Sequence, residues 1–421
     1  MSTDQSFRPL LKEFARFEST RDLERSPLYQ KAKPDIDRFL ARVWEGTRGQ
    51  RGQTARPLNC GDEGSDPSDP SSPSPIHAVA WNIERGMRLD GIIHFLQEHP
   101  LLAGADVLLL SELDWGMART GNRCVAGELA EALEMNYAFA PCYLALSKGA
   151  GIERHAAGDN QESLHGNALL SRFPIRRAHS LALPNGKDKM KGAEKRIGSQ
   201  RAVIADIEHP MGTFRAVSLH LDAHSSQRHR YIQMKQVLDH LDNLTPKMPV
   251  LIGGDWNTTT HDASRAVYSI LGYCRRVMMG IHNVVANHYP HPDRWFDRKL
   301  FRELERRRYA YRTLNTSGEC TLHYNVADLA ANLNMSEWVP AWCFWFINWA
   351  LKRTGGSLSM KLDWFAGRDI QPLAPAVAIP GLATDGKPVS DHDPIVLSFT
   401  LDSLQRDVHG EQQELREELS K

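Results

Sequence analysis

The chain is predicted to be an α/β protein on three observations. Short apolar runs of strand length recur along it and end in polar residues. Apolar stripes at helical spacing lie between those runs. Apolar residues make up 41% of the 421 positions, enough to fill a large buried core.

Taken in order, Phe7, Leu10, Leu11, Phe14 and Phe17 recur at helical spacing, so residues 5–46 are expected to be helical. The stretch 46–75 is rich in Gly, Ser, Pro and Asp and closes on SDPSDPSSPSP, a composition that cannot build a core and reads as a linker. The main domain is expected to span 76–400. Its strands are predicted at HAVAWNI, Ala105–Glu112, Gly166–Ser171, Arg201–Ile207, Thr213–His220, Pro249–Asp255, Lys361–Phe365 and Pro394–Phe399. Its helices are predicted at Gly91–His99, Val125–Glu134 and around the stripe Tyr231, Met234, Leu238 and Leu241. Residues 263–360 form an insertion. A structureless loop of roughly a hundred residues is improbable, so it is expected to carry helices, one over Arg298–Tyr311. A polar tail, 401–421, closes the chain.

Lys plus Arg and Asp plus Glu both number 51, which argues against gross electrostatic capture of polyanions but leaves room for a local basic groove. The six cysteines form no CxxC pair and no structural zinc pattern. Their scatter fits a reducing compartment, and a cytoplasmic location is expected. Met1–Arg21 has no apolar core of a secretory signal, and no apolar run is long enough to span a bilayer.

The chemistry is carried by polar residues at strand ends. Asn82 and Glu84 follow the first strand of the main domain and Glu112 ends the second. His220 and Asp222 end SLHLD, Asp255 and Asn257 end IGGDWN, Asp363 lies in KLDWF, and Asp391 and His392 lie in SDHDP. Apolar strands that terminate in such groups place them along one rim of a sheet, where ligands of α/β proteins bind. Asn, Asp and Glu oxygens suit Mg²⁺ or Mn²⁺, and two histidines add groups that titrate near neutrality. An isolated Asp at a strand end is ordinarily a turn or cap residue, so the weight falls on the ordered set.

WNIE, LLLSELD, HGNALLSRFPI, SLHLDAH, IGGDWNT, KLDWF and SDHDPIVLSF, in that order, resemble the successive signatures of the endonuclease/exonuclease/phosphatase superfamily. The resemblance covers about residues 76–400 outside most of the insertion. It implies a four-layer α/β/β/α sandwich of two packed mixed sheets flanked by helices. It implies a Mg²⁺- or Mn²⁺-dependent phosphoesterase, with Asn82, Glu112 and Asp391 at the metal. Asp255 and Asn257 would position the attacking water and the phosphate. His392, oriented by Asp363, would stand at phosphorus with His220 beside it, and either His392 or Asp255 would handle the proton. His165, Asn167 and Asp222 are weaker candidates for substrate contact, His165 and Asn167 reading equally as the turn that opens a strand. Residues 1–75 carry none of the signatures and are expected to be dispensable for the chemistry.

Three functions fit this reading: hydrolysis of a lipid head group or related small phosphoester, cleavage of DNA or RNA, and a non-catalytic binding module. The last is disfavoured because every site position holds a competent residue. The run Trp338–Trp349 crowds tryptophan and phenylalanine ahead of Lys352 and Arg353. It reads either as the core of the insertion or as a peripheral membrane contact. The basic stretch Lys187–Lys195 reads as a solvated loop before it reads as a polyanion grip.

Overall fold

The computed structural model describes residues 7–47, 74–223, 225–258, 266–325 and 357–402. The linker, the Trp338–Trp349 run and nearly all of the C-terminal tail lie outside the described residues. Ten strands precede the insertion: β1 (Trp44–Gly46), β2 (Ile76–Arg85), β3 (Val107–Trp115), β4 (Asn136–Ala145), β5 (Leu164–Ser171), β6 (Ile175–Ala182), β7 (Arg196–Gly198), β8 (Arg201–His209), β9 (Gly212–Ser218) and β10 (Val250–Asp255). A hairpin, β11 (Leu322–Asn325) and β12 (Ser357–Met360), belongs to the insertion. After it come β13 (Asp363–Arg368), β14 (Ile370–Pro372), β15 (Val377–Ala378), β16 (Ala383–Thr384), β17 (Lys387–Pro388) and β18 (Ile395–Leu401).

Two mixed sheets result. The larger runs β1-β4-β5-β3-β2-β18-β14, with β7 on β4 and β15 on β18. Its β2/β3 pair is parallel and its other pairs are antiparallel. The smaller runs β13-β10-β9-β8-β6, with β9/β10 parallel.

Side-chain alternation sorts the residues into layers. Ala78, Ala80, Val107 and Leu109 meet Val203, Ala205, Ala216, Leu251 and Phe365 in the core between the sheets. Small residues on the first sheet let the two sheets approach closely. Val79, Trp81, Ile83, Leu108 and Leu110 face the other way, toward helices Pro27–Leu40, Leu89–Glu98 and Val125–Ala132. Ala202, Ile204, Val217, Val250 and Ile252 pack on Met234, Val237, Leu238 and Leu241 of helix Gln227–Asn243 and on Leu300, Phe301 and Leu304 of helix Arg298–Arg306. The expected four layers are therefore present.

The N-terminal segment is helical only as far as Leu40; Trp44–Gly46 is a strand paired with β4. Phe7, Phe14, Ile36, Phe39 and Leu40 are buried in the same core as the first sheet, and Trp44 meets Trp115 edge-on at 5.2 Å. Lys195 donates to the carbonyls of Ala15 and Phe17, tying the segment to the main domain again.

β10 and β13 are antiparallel neighbours, so the whole insertion stands where a hairpin loop would. Inside it, helix Arg298–Arg306 is shorter than the Arg298–Tyr311 expected, because Arg308 takes a left-handed conformation that ends the helix. A buried bidentate pair, Arg230 with Asp297, fastens it to helix Gln227–Asn243. The β11–β12 hairpin is held to the SDHDP loop by His323 and Asp393, 2.8 Å apart, and by Asp393 N–H donating to the Thr321 carbonyl.

Candidate active site

Four strand ends converge on the site. β2 and β3 run parallel, with Asn82 opposite Ser111. Beyond that pair both strands depart from regular register, β2 between Asn82 and Arg85, β3 between Leu110 and Leu113. Glu84, Arg85 and Glu112 fall in these irregularities, all at positive φ (44°, 65° and 58°). Regular alternation would send Glu112 to the helix side with Leu108 and Leu110; the bulge re-aims it. In the second sheet Asp255 and Asp363 sit directly opposite each other. Asn257 follows at φ 52°. Left-handed conformations at non-glycine residues are costly and tend to collect where function over-determines the backbone. Gly254 has no alternative: a Cβ there would lie 2.2 Å from the Leu219 carbonyl oxygen.

Asp255 is the hub. Its Oδ1 accepts from the Asn257 backbone N–H at 2.9 Å. Its Oδ2 accepts from Asn257 Nδ2 at 3.1 Å and from Asn82 Nδ2 at 3.2 Å. His220 Nε2 lies 3.5 Å from Oδ2 and His392 Nε2 lies 3.8 Å from it. Asn82 Nδ2 also reaches Glu112 Oε1 at 3.1 Å, which links the two sheets through one amide. Asp363 Oδ2 stands 2.7 Å from His392 Nδ1, fully buried, while Trp81 Nε1 donates to the His392 carbonyl and fixes the loop.

The charges are arranged unequally. Burial pushes Asp255 up to about 7, with Asp363 adding to the shift and His392 opposing it. Burial also opposes a charged His392, but Asp363, Asp255 and Asp391 outweigh it and hold the imidazole well above its ordinary range. His220, by contrast, is pushed down to about 4 by burial. It is a neutral imidazole at pH 7 and His392 a cation.

On the other side of Asn82, burial is outweighed at Glu112 by Arg85, His220, His165 and the Asn82 hydrogen bond, which hold its carboxyl well below the ordinary range. Burial, then Asp391, and also Glu112 push Glu84 up to about 7 against Arg85. Asp391 itself is exposed. Three carboxylates thus share one nearby arginine, an excess of negative charge in an oxygen-donor setting that fits a hard divalent cation. Glu112, Asp391 and the Asn82 amide would hold it. A second grouping, Asp255, Asp363 and His392, is the one among the described residues whose ligand atoms lie within 4.8 Å of one another. In that set His392 already spends Nδ1 on Asp363, which leaves its Nε2 to face an ion.

The weaker candidates divide. Asn167 Oδ1 accepts from the Glu112 backbone N–H at 3.3 Å, and its Nδ2 donates to the Arg201 carbonyl, so it props the bulge. His165 pairs through Nδ1 with Asp114 at 2.9 Å. Asp222 is held by Lys189 Nζ at 2.6 Å and by Gly186 N–H, inside the basic stretch that sequence read as a solvated loop. Lys189 is buried there, and burial lowers its pKa even beside Asp222.

Sequence reasoning missed a buried ion network behind Glu112. Arg85 lies 3.7 Å from Glu112 and 3.2 Å from Glu153. Arg119 binds both oxygens of Asp114 and also reaches Glu153 and Glu194, each at 2.9 Å. Its members come from separate segments of the chain, and no sequence motif joins Arg85 and Arg119 to Glu153 and Glu194.

Several solved structures are similar. They include an endonuclease/exonuclease/phosphatase from Beutenbergia cavernae (14% identity, 78% of this chain and 72% of that one, TM-score 0.45). Another is from Bacteroides vulgatus (13% identity, 78% and 100%, TM-score 0.43). A third is the 3'-5' exonuclease NExo from Neisseria meningitidis (12% identity, 77% and 100%, TM-score 0.42). No curated protein sequence matches. The sequence model of the Endonuclease/Exonuclease/phosphatase family matches residues 79–392, from just before Asn82 to His392, and the chain belongs to that family.

Proposed function

We propose that the chain is a Mg²⁺- or Mn²⁺-dependent hydrolase of a phosphodiester or phosphomonoester, with a lipid head group as the first candidate substrate. The observation that carries this reading is the pairing of two unlike centres through Asn82. Glu112 and its neighbouring carboxylates lie on one side; Asp255, with Asn257 and two histidines of opposite charge state, lies on the other. Glu112, Asp391 and the Asn82 amide would hold a divalent ion, and bound there it would supply charge neutralisation at a phosphoryl oxygen. The chain's own groups do the rest. Asp255 is taken as the base: Asn82 and Asn257 orient its Oδ2 toward the two histidines, and burial raises its carboxyl to about 7. Asn257 fixes the Asp255 carboxylate. His392, with Nδ1–H donated to Asp363, presents Nε2–H to the charge that develops on the phosphoryl oxygens. Neutral His220 offers Nε2 to the same space.

A substrate panel tests the proposal: sphingomyelin and other phospholipids, inositol phosphates, single- and double-stranded DNA, RNA and a chromogenic diester, each with Mg²⁺ and Mn²⁺. Turnover of a phospholipid or the diester that stops in excess EDTA is expected. Cleavage of nucleic acid with no turnover of lipid would transfer the site to the nuclease reading, for which the arginines of the insertion are the favouring observation. Full activity in EDTA would refute both.

A further inference from the structure

Helix Ala266–Met278 of the insertion carries Tyr268, Leu271, Arg275 and Met278 at intervals of three and four, so they share one stripe. The stripe is turned outward: Tyr268, Leu271 and Met278 are 44%, 59% and 81% exposed. Beside it stands Trp295, half exposed, with one ring face stacked on His288 at 4.1 Å. A cavity of about 580 Å³ opens between this helix and the first turn of helix Gln227–Asn243. Arg228, Arg275, Arg276 and Arg298 line it, and among the described residues no Asp or Glu does. Arg276 is engaged by the Tyr289 hydroxyl at 2.7 Å. Among the described residues, Arg228, Arg275 and Arg298 have no carboxylate partner.

Large apolar side chains in water are costly, and so is a group of cations without a counter-charge. One occupant relieves both. A strand of nucleic acid would neutralise the arginines and stack on Trp295, but it would leave Leu271 and Met278 in water. An anionic bilayer takes the apolar groups into its interface and sets lipid phosphates against the guanidinium groups. We propose that this face of the insertion docks on an anionic lipid surface, with Tyr268, Leu271, Met278 and Trp295 entering the headgroup layer. Arg228, Arg275 and Arg298 meet lipid phosphates. The docking rests on the insertion and the first turn of helix Gln227–Asn243, and stands or falls separately from what the active site hydrolyses.

The experiment is co-sedimentation with vesicles of phosphatidylcholine, alone and mixed with phosphatidylglycerol. The full chain is expected to bind the mixed vesicles, with binding that weakens as salt rises. Arg275→Glu with Arg298→Glu is expected to lower partitioning at least about tenfold, since each basic side chain at such a surface contributes about fivefold. Leu271→Ser with Met278→Ser keeps the charge and is expected to lower it as well. Because these side chains are exposed, both variants should keep the wild-type melting temperature and the wild-type rate on a soluble diester. No binding of the wild type to mixed vesicles overturns the proposal. Wild-type binding by both variants overturns it too, and moves any membrane contact to another part of the chain. Binding of a single-stranded oligonucleotide, lost on charge reversal and without vesicle binding, replaces it with a nucleic-acid groove. A wild type that docks but turns over no phosphoester leaves the docking intact and sinks the hydrolase reading.

Discussion

Replacing Asp363 by Asn separates an orienting carboxylate from a metal ligand. Asp363 is fully buried, and its Oδ2 is 2.7 Å from His392 Nδ1. A charge-assisted hydrogen bond of this kind contributes about 1.5–3 kcal/mol. It is the foremost influence holding His392 as a cation against burial. If His392 acts as that cation, the loss appears in turnover, and each 1.4 kcal/mol is tenfold, so kcat should fall about 10- to 100-fold. His392→Ala should cost roughly 100-fold or more, on the scale of a lost acid–base or charge-stabilising group. The decisive measurement is the double-mutant cycle on a chromogenic diester at saturating Mg²⁺ and Mn²⁺. Asp363 is argued to act only through His392, so Asp363→Asn should change little once His392 is Ala. If Asp363→Asn costs as much in the His392→Ala background as in the wild type, Asp363 contacts the metal or substrate itself. The grouping of Asp255, Asp363 and His392 would then be a ligand set, and the division into two centres would be wrong.

Glu112→Gln keeps the shape and removes the charge; kcat should fall by about two orders of magnitude or more, and calorimetric titration should show weakened Mn²⁺ binding. Unchanged Mn²⁺ affinity would remove Glu112 from the metal. Burial and His77 push His209 down to about 4, and its Nδ1 accepts from the Met211 N–H, which requires the neutral ring. Its folded pKa lies below the unfolded value of about 6.5, so its contribution to stability is present above that value and is lost as pH falls toward 4. Urea midpoints of wild type and His209→Gln should converge over that window, and parallel curves would contradict the assignment. Truncation to Ser74 is expected to be damaging rather than neutral. Phe7, Phe14, Ile36, Phe39 and Leu40 are buried at about 2 kcal/mol each, part of it shared among the N-terminal helices. A truncated protein with an unchanged melting temperature would show that these helices only decorate the sheet.

The candidate site residues were legible because they lie at or beside the ends of apolar strands: Glu112 and Asp255 late in β3 and β10, Asp363 at the start of β13, and His392 just before β18. What depended on irregular backbone or on distance was not. β4 was missed because Pro141 reads as a strand breaker; the register shifts between Pro141 and Tyr143, which accommodates it. β6 was missed because IRRAHSLA lies at a sheet edge and alternates poorly. Glu84 was read only as a polar residue following a strand and Arg85 was not singled out; the left-handed backbone brings both beside Glu112. Asp222 was drawn toward the substrate by its place in SLHLD, while its carboxylate is occupied by Lys189. The N-terminal helices were read from periodicity, but periodicity does not say what an apolar face packs against.

The position of the insertion between β10 and β13 gives it a particular freedom. A loop that joins two antiparallel neighbours can be lengthened at a cost that grows only logarithmically, about 2 kcal/mol for a tenfold increase. The ladder from Val250–Arg368 to Asp255–Asp363 fixes where the chain leaves and returns, whatever lies between. The ladder thus places the two carboxylates, and Thr321 of the insertion adds one contact, its hydroxyl oxygen accepting from the Asp363 N–H at 3.1 Å. A lineage could exchange one insertion for another, and with it the surface offered to substrates, while the spacing of Asp255 and Asp363 stayed the same. The same junctions are the natural places to graft a foreign recognition module onto this hydrolytic frame.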